Sequence, residues 1–231
     1  VEFQLSFLTS GDVPSLLLSG IATTIRLFCG AWIPGFVVAL GLVALRAVPF
    51  LPVTMLVSAF AAYHRNVPTV VQIMVWYFGM PAVLPEPIRL WVNHSDTEFL
   101  FALVALGLNV SAYMSEDIRS GLRAIPHTQI EAARSIGLGA FAALRYVMLP
   151  QAIRIGLPPL INRSLILFKD TSLAMTIGVA ELTYQVKAIE NLTFRSFEVF
   201  AASTLIYLAG SLSLMWIGAW FASHYPPPYR G

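Results

Sequence analysis

The stretch Ala61-Ala62-Tyr63-His64-Arg65-Asn66-Val67-Pro68-Thr69-Val70-Val71 decides how this chain is threaded. It joins two pieces free of Asp, Glu, Lys and Arg, residues 47–63 and 66–85. Either the pieces are two membrane crossings joined by a polar hairpin, or they form one long crossing with a polar middle. Lys and Arg are retained in cytoplasmic loops, so their distribution separates the two readings. With a hairpin, Arg46 falls on the side opposite to Arg119, Arg123, Arg134, Arg145 and Arg154, and those five arginines are exported with nothing comparable inside. With one crossing, Arg46, the same five arginines and Arg230 all share the cytoplasmic side. The loops 86–98 and 183–198, which mix both signs, are then external. One crossing is the consistent reading. Pro68 lacks an N–H and crowds the preceding turn, so it should kink this span, and neighbouring helices must satisfy the carbonyl it frees.

The rest of the chain belongs to the same medium. Of 231 residues 57% are hydrophobic and 11% charged, where soluble domains run about 45–50% and about 25%. A helix needs roughly 20 apolar residues to cross the hydrocarbon layer, and the charge-free runs 27–45, 99–115 and 199–223 supply them. Residues 155–182 are as apolar at both ends but carry Arg163, Lys169 and Asp170, so a fourth span is expected from about residue 158 to 181. The expected fold is all-α: a polytopic membrane protein of five transmembrane helices, N-terminus outside and C-terminus cytoplasmic, forming a single domain over residues 1–231. The opening Val1-Glu2-Phe3-Gln4 has no basic segment ahead of an apolar run, so no cleavable signal is expected. A formal charge of +2 leaves no basic excess for a nucleic acid. The single Cys29 lies in an apolar run and is expected as a buried small hydrophobe without redox chemistry. No inverted repeat is visible and five spans do not halve, which weighs against a secondary carrier.

Ionisable groups inside a span cost about 2.5–3.5 kcal/mol even on insertion scales, so each is a candidate for function. Counted along their spans, Arg65, Asn109 with Tyr113, and Lys169 with Asp170 reach the middle of the second, third and fourth helices. They could satisfy one another, with Arg65 or Lys169 paired to Asp170, or they could bind a substrate, and the two readings are compatible. Glu116 and Asp117 lie within a turn of Arg119, where helix-end pairing is expected, but Glu116 also shares the face of Asn109 and Tyr113 by its spacing. Arg26 is near an external helix end and can snorkel.

Between the third and fourth spans, residues 120–154 far exceed a tight helix connection. Thr128 is placed to cap a helix with Glu131 in its first turn. Gly137 suits a left-handed stop, and a second short helix should run from about residue 140 to 148 until Leu149-Pro150 ends it. The expected unit is a helix–turn–helix elbow whose small Ala132 and Ala133 let another surface approach.

These residues carry a family resemblance. Glu131-Ala132-Ala133, three residues, Gly137, nine residues, then Val147-Met148-Leu149-Pro150 resembles the EAA loop of ABC-importer membrane subunits, with Val147 in place of Ile. In order along the chain, residues 109–121, 149–154, 169–173 and Glu181-Leu182 are similar to the signature segments of polar amino-acid importer permeases of the histidine/arginine/glutamine type, and the resemblance runs from about Gly20 to Trp220. Members usually read Arg-Gly-Thr-Pro in the second span, where this chain keeps Arg65 and Pro68 but has Asn66 and Val67.

The resemblance implies a type I (MetI-like) importer permease in a bacterial inner membrane, with the loop at about 120–154 as its coupling element. It implies a second permease subunit, identical or sister, two ATPase subunits, an external substrate-binding protein and a polar amino acid as cargo. By the same implication Glu131, Ala132, Ala133 and Gly137 touch the ATPase. Depth and the resemblance together give Arg65 an α-carboxylate and Asp170 an α-amine, with Asn109, Tyr113, Glu116 and Ser172 completing the site. No cofactor is expected on this chain, ATP being hydrolysed by its partners. The sequence has no Walker A loop, since Lys169 follows Phe168 and Lys187 follows Val186, and it has no His-Glu-x-x-His or Gly-x-Ser-x-Gly. Four histidines on separate segments lack metal-ligand spacing. A membrane-embedded enzyme, or a secondary carrier or channel working without an ATPase, is the alternative, and neither accounts for the EAA spacing.

Overall fold

The computed structural model describes residues 11–224, so Val1 to Gln4 and Arg230 lie outside the described residues. Among the described residues there is helix and no strand. Helix α1 spans Val13–Ala47, with Pro34 inside it. It is followed by α2 (Leu51–Asn66), α3 (Thr69–Met74), a π turn at Val75–Gly79, α4 (Met80–Val83) and α5 (Glu86–Asn93). Then come α6 (Thr97–Arg123), α7 (His127–Ser135), α8 (Ala140–Ala143), a second π turn at Leu144–Met148 and α9 (Leu149–Asp170). A 3-10 segment (Thr171–Ile177), α10 (Leu182–Thr193) and α11 (Ser196–His224) complete the order. Helices α1, α6 and α11 are each long and apolar enough to cross a membrane by length and composition.

Helix α6 is the hub, packed by α1, α2, α3 and α9. Its approach to α1 is set by small residues: a Cβ at Gly35 would lie 2.6 Å from Val110 Cγ1 and 3.0 Å from the Gly107 carbonyl oxygen. Close backbone approach of this kind replaces the hydrophobic drive that helices in lipid lack. The segment α2 to α4 climbs α6 in reverse order. Ser58 is joined through Arg46 to Glu116, the His64 carbonyl meets Asn109, and Tyr77 reaches Glu98 and Phe101. A hairpin at residues 64–68 would have returned Tyr77 toward the level of Ser58. Instead the chain passes on through the break, so the helix is interrupted at Val67-Pro68 and not merely bent.

Both π turns precede a proline, Pro81 and Pro150, by two residues. A proline inside an α-helix removes one N–H and presses on the carbonyl four residues back, and widening the turn to i→i+5 relieves both. This corrects two expectations. The short elbow helix is not ended by Leu149-Pro150 but runs through the second π turn into α9. The helix expected from residue 158 to 181 therefore starts at Leu149 and ends in the 3-10 segment, stopped by Gly178 at φ 95°. Helix α7 also begins two residues earlier than a Thr128 cap requires: Pro126 is its N-cap with no side-chain bond, and the Gln129 N–H bonds the Pro126 carbonyl instead. Cys29 is exposed, not buried; it lies on the face of α1 that lines an apolar hollow beside α11.

At the far end of the bundle from the elbow, the fully buried Glu181 caps α10. Its carboxylate accepts the N–H groups of Thr183 and Tyr184 at 2.9 Å and the Tyr207 hydroxyl of α11 at 2.9 Å. The Leu182 N–H donates to Thr24 of α1 at 3.1 Å, so this corner ties three helices together.

Candidate functional site

Residue 67 must be extended because a proline follows it, and Val67 is, at ψ 132°. The turn it interrupts leaves carbonyls that only side chains can meet, since the bilayer core offers no water. Asn109 Nδ2 donates to the His64 carbonyl at 2.9 Å and the Tyr113 hydroxyl donates to the Arg65 carbonyl at 3.1 Å. Fully buried Gln72, about one turn beyond the break, donates from Nε2 to the carbonyls of Val67 (2.7 Å) and His64 (3.0 Å). Its Oε1 then accepts, so His64 donates from Nδ1 at 2.6 Å. Two residues expected to bind substrate, Asn109 and Tyr113, thus hold the broken helix open with their polar atoms.

Gln72→Leu keeps the volume but orphans the Val67 carbonyl and the His64 ring. Each unsatisfied buried group costs about 1–3 kcal/mol, so a loss of about 2–6 kcal/mol is expected. It should appear as a lowered thermal midpoint in detergent with faster amide exchange around residues 64–70. An unchanged midpoint would show that the break supports itself.

Opening the helix exposes two hollows that share Tyr113 as a wall. One, about 300 Å³, is lined by Thr69, Asn109, Tyr113, Arg163 and Asp170 among others. The second, about 550 Å³, is lined by Arg46, Ser58, Arg65, Asn66, Tyr113 and Glu116 among others. Two guanidiniums address the Tyr113 ring, Arg163 at 3.9 Å from its centroid and Arg65 at 5.7 Å. Arg163 stands seven residues before Asp170, two turns along one helix face. That spacing was legible and would have added Arg163 to the site.

The charges sort into paired and unpaired. Arg46 of α1 is bonded to Glu116 and also donates to Ser58 at 2.9 Å, while Arg163 is bonded to Asp117 at 3.3 Å. Both acids therefore bridge helices, and the expected helix-end partner Arg119 also pairs with Glu116, at 3.9 Å. Arg65 and Asp170 have no ion pair among the described residues. Asp170 is bonded by the Thr69 hydroxyl across the hollow, and Lys169 is exposed. Ser172 lines neither hollow, its hydroxyl donating to the Lys169 carbonyl at 2.7 Å.

The elbow ends α7 with a paired backbone lock. The Leu138 N–H bonds the Ala133 carbonyl at 3.1 Å, the Gly137 N–H bonds the Arg134 carbonyl at 2.9 Å, and Gly137 sits at φ 82°. These are the two bonds of a Schellman stop, which favours glycine at that position. Ala133 is buried, so it serves the elbow's own packing, while Glu131, Ala132 and Gly137 are exposed. Beside them Ile136, Phe141 and Tyr146 expose 77%, 75% and 68% of their surface.

Comparison with known proteins places this geometry. The family described as binding-protein-dependent transport system inner membrane component matches residues 17–225. The glutamate/aspartate import permease protein GltJ of Escherichia coli (strain K12) is 34% identical over 194 residues, covering 82% of this chain and 79% of its own. The nopaline transport system permease protein NocM of Agrobacterium fabrum is 36% identical over 195 residues, covering 83% and 80%. Among solved structures, an amino acid ABC transporter crystallised with histidines superposes with a TM-score of 0.85 at 28% identity, over 97% of this chain and 100% of that one. An inward-facing methionine ABC transporter, MetNI, gives 0.75 at 16% identity over 94% and 99%, a likeness of fold.

Proposed function

The chain belongs to the family of binding-protein-dependent transport system inner membrane components and is a permease subunit of an ABC importer, and on that premise we propose that its cargo is a polar amino acid passing between the two hollows that share Tyr113. The observation that carries the reading is the sorting of charge. In a site where the other charges inside the hollows are bonded across helices, one guanidinium, Arg65, and one carboxylate, Asp170, have no ion pair. An α-amino acid brings the complementary pair, a carboxylate for Arg65 and an ammonium for Asp170. Charge-assisted bonds of this kind are the strong ones in a low-dielectric site. Tyr113 and Asn109 fix the broken helix that presents Arg65, so their part is positioning.

The same reading threads residues 1–231 as one permease domain of five spans in a bacterial inner membrane, with the N-terminus outside and the C-terminus cytoplasmic. The interrupted helix α2 to α4 counts as one crossing, which keeps Arg46 and the elbow arginines on the cytoplasmic side. There Glu131, Ala132 and Gly137, with the exposed apolar side chains next to them, meet one of two ATPase subunits, and Ala133 supports them from beneath. A second permease subunit, identical or sister, and an external binding protein complete the assembly. ATP is bound and hydrolysed by the partners, and this chain holds no cofactor. Nucleotide binding biases the assembly between outward-open and inward-open states through the elbow.

The test is purification with candidate ATPase and sister-permease subunits, then reconstitution in liposomes with an external binding protein and a panel of amino acids. ATP hydrolysis should rise with one polar amino acid, and that amino acid should accumulate only with ATP. Solute movement without nucleotide, or a chain that assembles with no ATPase, would overturn the reading.

A further inference from the structure

On the side of α6 away from the hollows, an apolar groove of about 500 Å³ opens between α1 and α9. It runs from Trp32 and Ser164 at mid-depth to Leu122 and Leu149 at the elbow end. Its polar side-chain atoms satisfy each other: the Ser164 hydroxyl accepts from Trp32 Nε1 at 2.8 Å and donates to the Leu160 carbonyl at 2.9 Å. Nothing in the groove calls for a polar ligand, which would be desolvated there without a partner. The floor is low because Gly156 forms part of it, and a Cβ built at Gly156 meets nothing within 4 Å.

Three observations say what covers this groove. The first is length. From Leu149 to Ser164 the helix rises about 22 Å, while one leaflet holds about 15 Å of hydrocarbon, so the groove is long enough to take a single acyl chain along its whole length. The second is side. At 100° per residue, Ile118 and Leu122 of the groove point roughly 140–180° away from Tyr113 on the same helix, so the groove backs away from the transport path. It turns to where α11 buries few of its residues and is apolar on all faces, the mark of a lipid-facing helix. The third is charge. Arg123 follows Leu122, Arg154 follows Ile153, and Arg145 stands one turn before Leu149. None of these three is ion-paired among the described residues, and each stands next to, or one turn from, a residue that lines the slot.

We propose that the groove is a lipid site, holding one acyl chain of an anionic phospholipid from the elbow-side leaflet with its phosphate among Arg123, Arg145 and Arg154. Basic side chains at a membrane surface attract anionic head groups, and the slot turns that general attraction into a seat of defined register. The site is separate from the amino-acid path and stands or falls independently of the cargo.

Trp32 reports on it directly. In the full permease complex, the other four tryptophans, Trp76, Trp91, Trp216 and Trp220, are replaced by Phe. The complex is then placed in nanodiscs of phosphatidylcholine carrying a small fraction of lipid brominated near its terminal methyl. Brominated phosphatidylglycerol should quench Trp32 at least about fivefold more strongly than the same fraction of brominated phosphatidylcholine, the enrichment that a single basic contact already gives. Gly156→Leu, which fills the slot, should bring the two lipids to the same low level. The double variant Arg145→Gln with Arg154→Gln leaves the walls intact and should also equalise them, so the result does not hang on one variant folding. Equal quenching by both lipids in the intact groove would mean bulk lipid only. Quenching by neither would mean that a helix of a second subunit covers the groove. Either result overturns the proposal.

Discussion

Arg65→Ala and Asp170→Ala are each expected to abolish amino-acid-stimulated ATP hydrolysis and uptake while the complex still assembles. The expectation rests on what these two side chains lack. Removing one member of a buried ion pair strands the other, at about 3–5 kcal/mol. Arg46 with Glu116 and Arg163 with Asp117 are only partly buried, and Glu116 keeps Arg119 at 3.9 Å, so Arg46→Ala and Arg163→Ala should cost less than that but still loosen the bundle. Those variants should therefore lose protein as well as transport. Arg65 and Asp170 strand no counter-charge, and Arg65→Ala keeps the backbone carbonyl that Tyr113 holds. Beyond the Thr69 hydroxyl's bond to Asp170 and the contact of Arg65 with the Tyr113 ring, what is lost is the bond to cargo. A hydrogen bond to a charged group contributes about 1.5–3 kcal/mol, or roughly 10- to 150-fold in affinity for each contact. Uptake into proteoliposomes, read beside size-exclusion yield, separates the classes. Normal uptake in either variant would take that residue out of the cargo's path.

The parts of this architecture legible in the sequence were those written in one-dimensional chemistry. Arginine asymmetry separates the two readings of residues 47–85, and proline's missing N–H marks Pro68 as the point of interruption. Gly137 was legible for the same reason, since a helix stop in the left-handed region selects glycine. The parts that stayed hidden depend on register or on distant partners. Pro150 reads as a terminator only if the turn before it is α-helical, and a π turn has no residue signature that announces it. The depth of Asn109 and Tyr113 could be counted, but not that their polar atoms face backbone carbonyls, because those carbonyls are free only once the neighbouring helix is unwound. Gln72 was hidden behind the same condition. Arg46 and Glu116 are 70 residues apart, and the nearer Arg119, which does pair with Glu116 at 3.9 Å, gives no hint of this second partner. Arg163 is seven residues from Asp170 on one helix face, a relation written in the sequence alone.

Gly137→Leu should leave the permease folded and in the membrane yet remove its ATPase partner from a pull-down. A Cβ at this position meets nothing within 4 Å in the chain itself, so bulk there has only an approaching surface to strike. The left-handed φ of 82° adds a conformational cost of about 1–2 kcal/mol for an ordinary residue, too small to unfold the bundle and local to the end of α7. Asparagine separates the two effects, because it tolerates the left-handed region while still presenting a side chain. If Gly137 matters only for the turn, Gly137→Asn should retain the ATPase and Gly137→Leu should weaken it modestly. If close approach matters, Asn should already reduce the yield and Leu should abolish it. The second outcome is expected, because Ile136, Phe141 and Tyr146 stand largely uncovered beside the glycine, and apolar surface left open at a helix elbow marks a contact site. A Leu variant that retains its ATPase at the unsubstituted yield would place the coupling surface elsewhere on the chain.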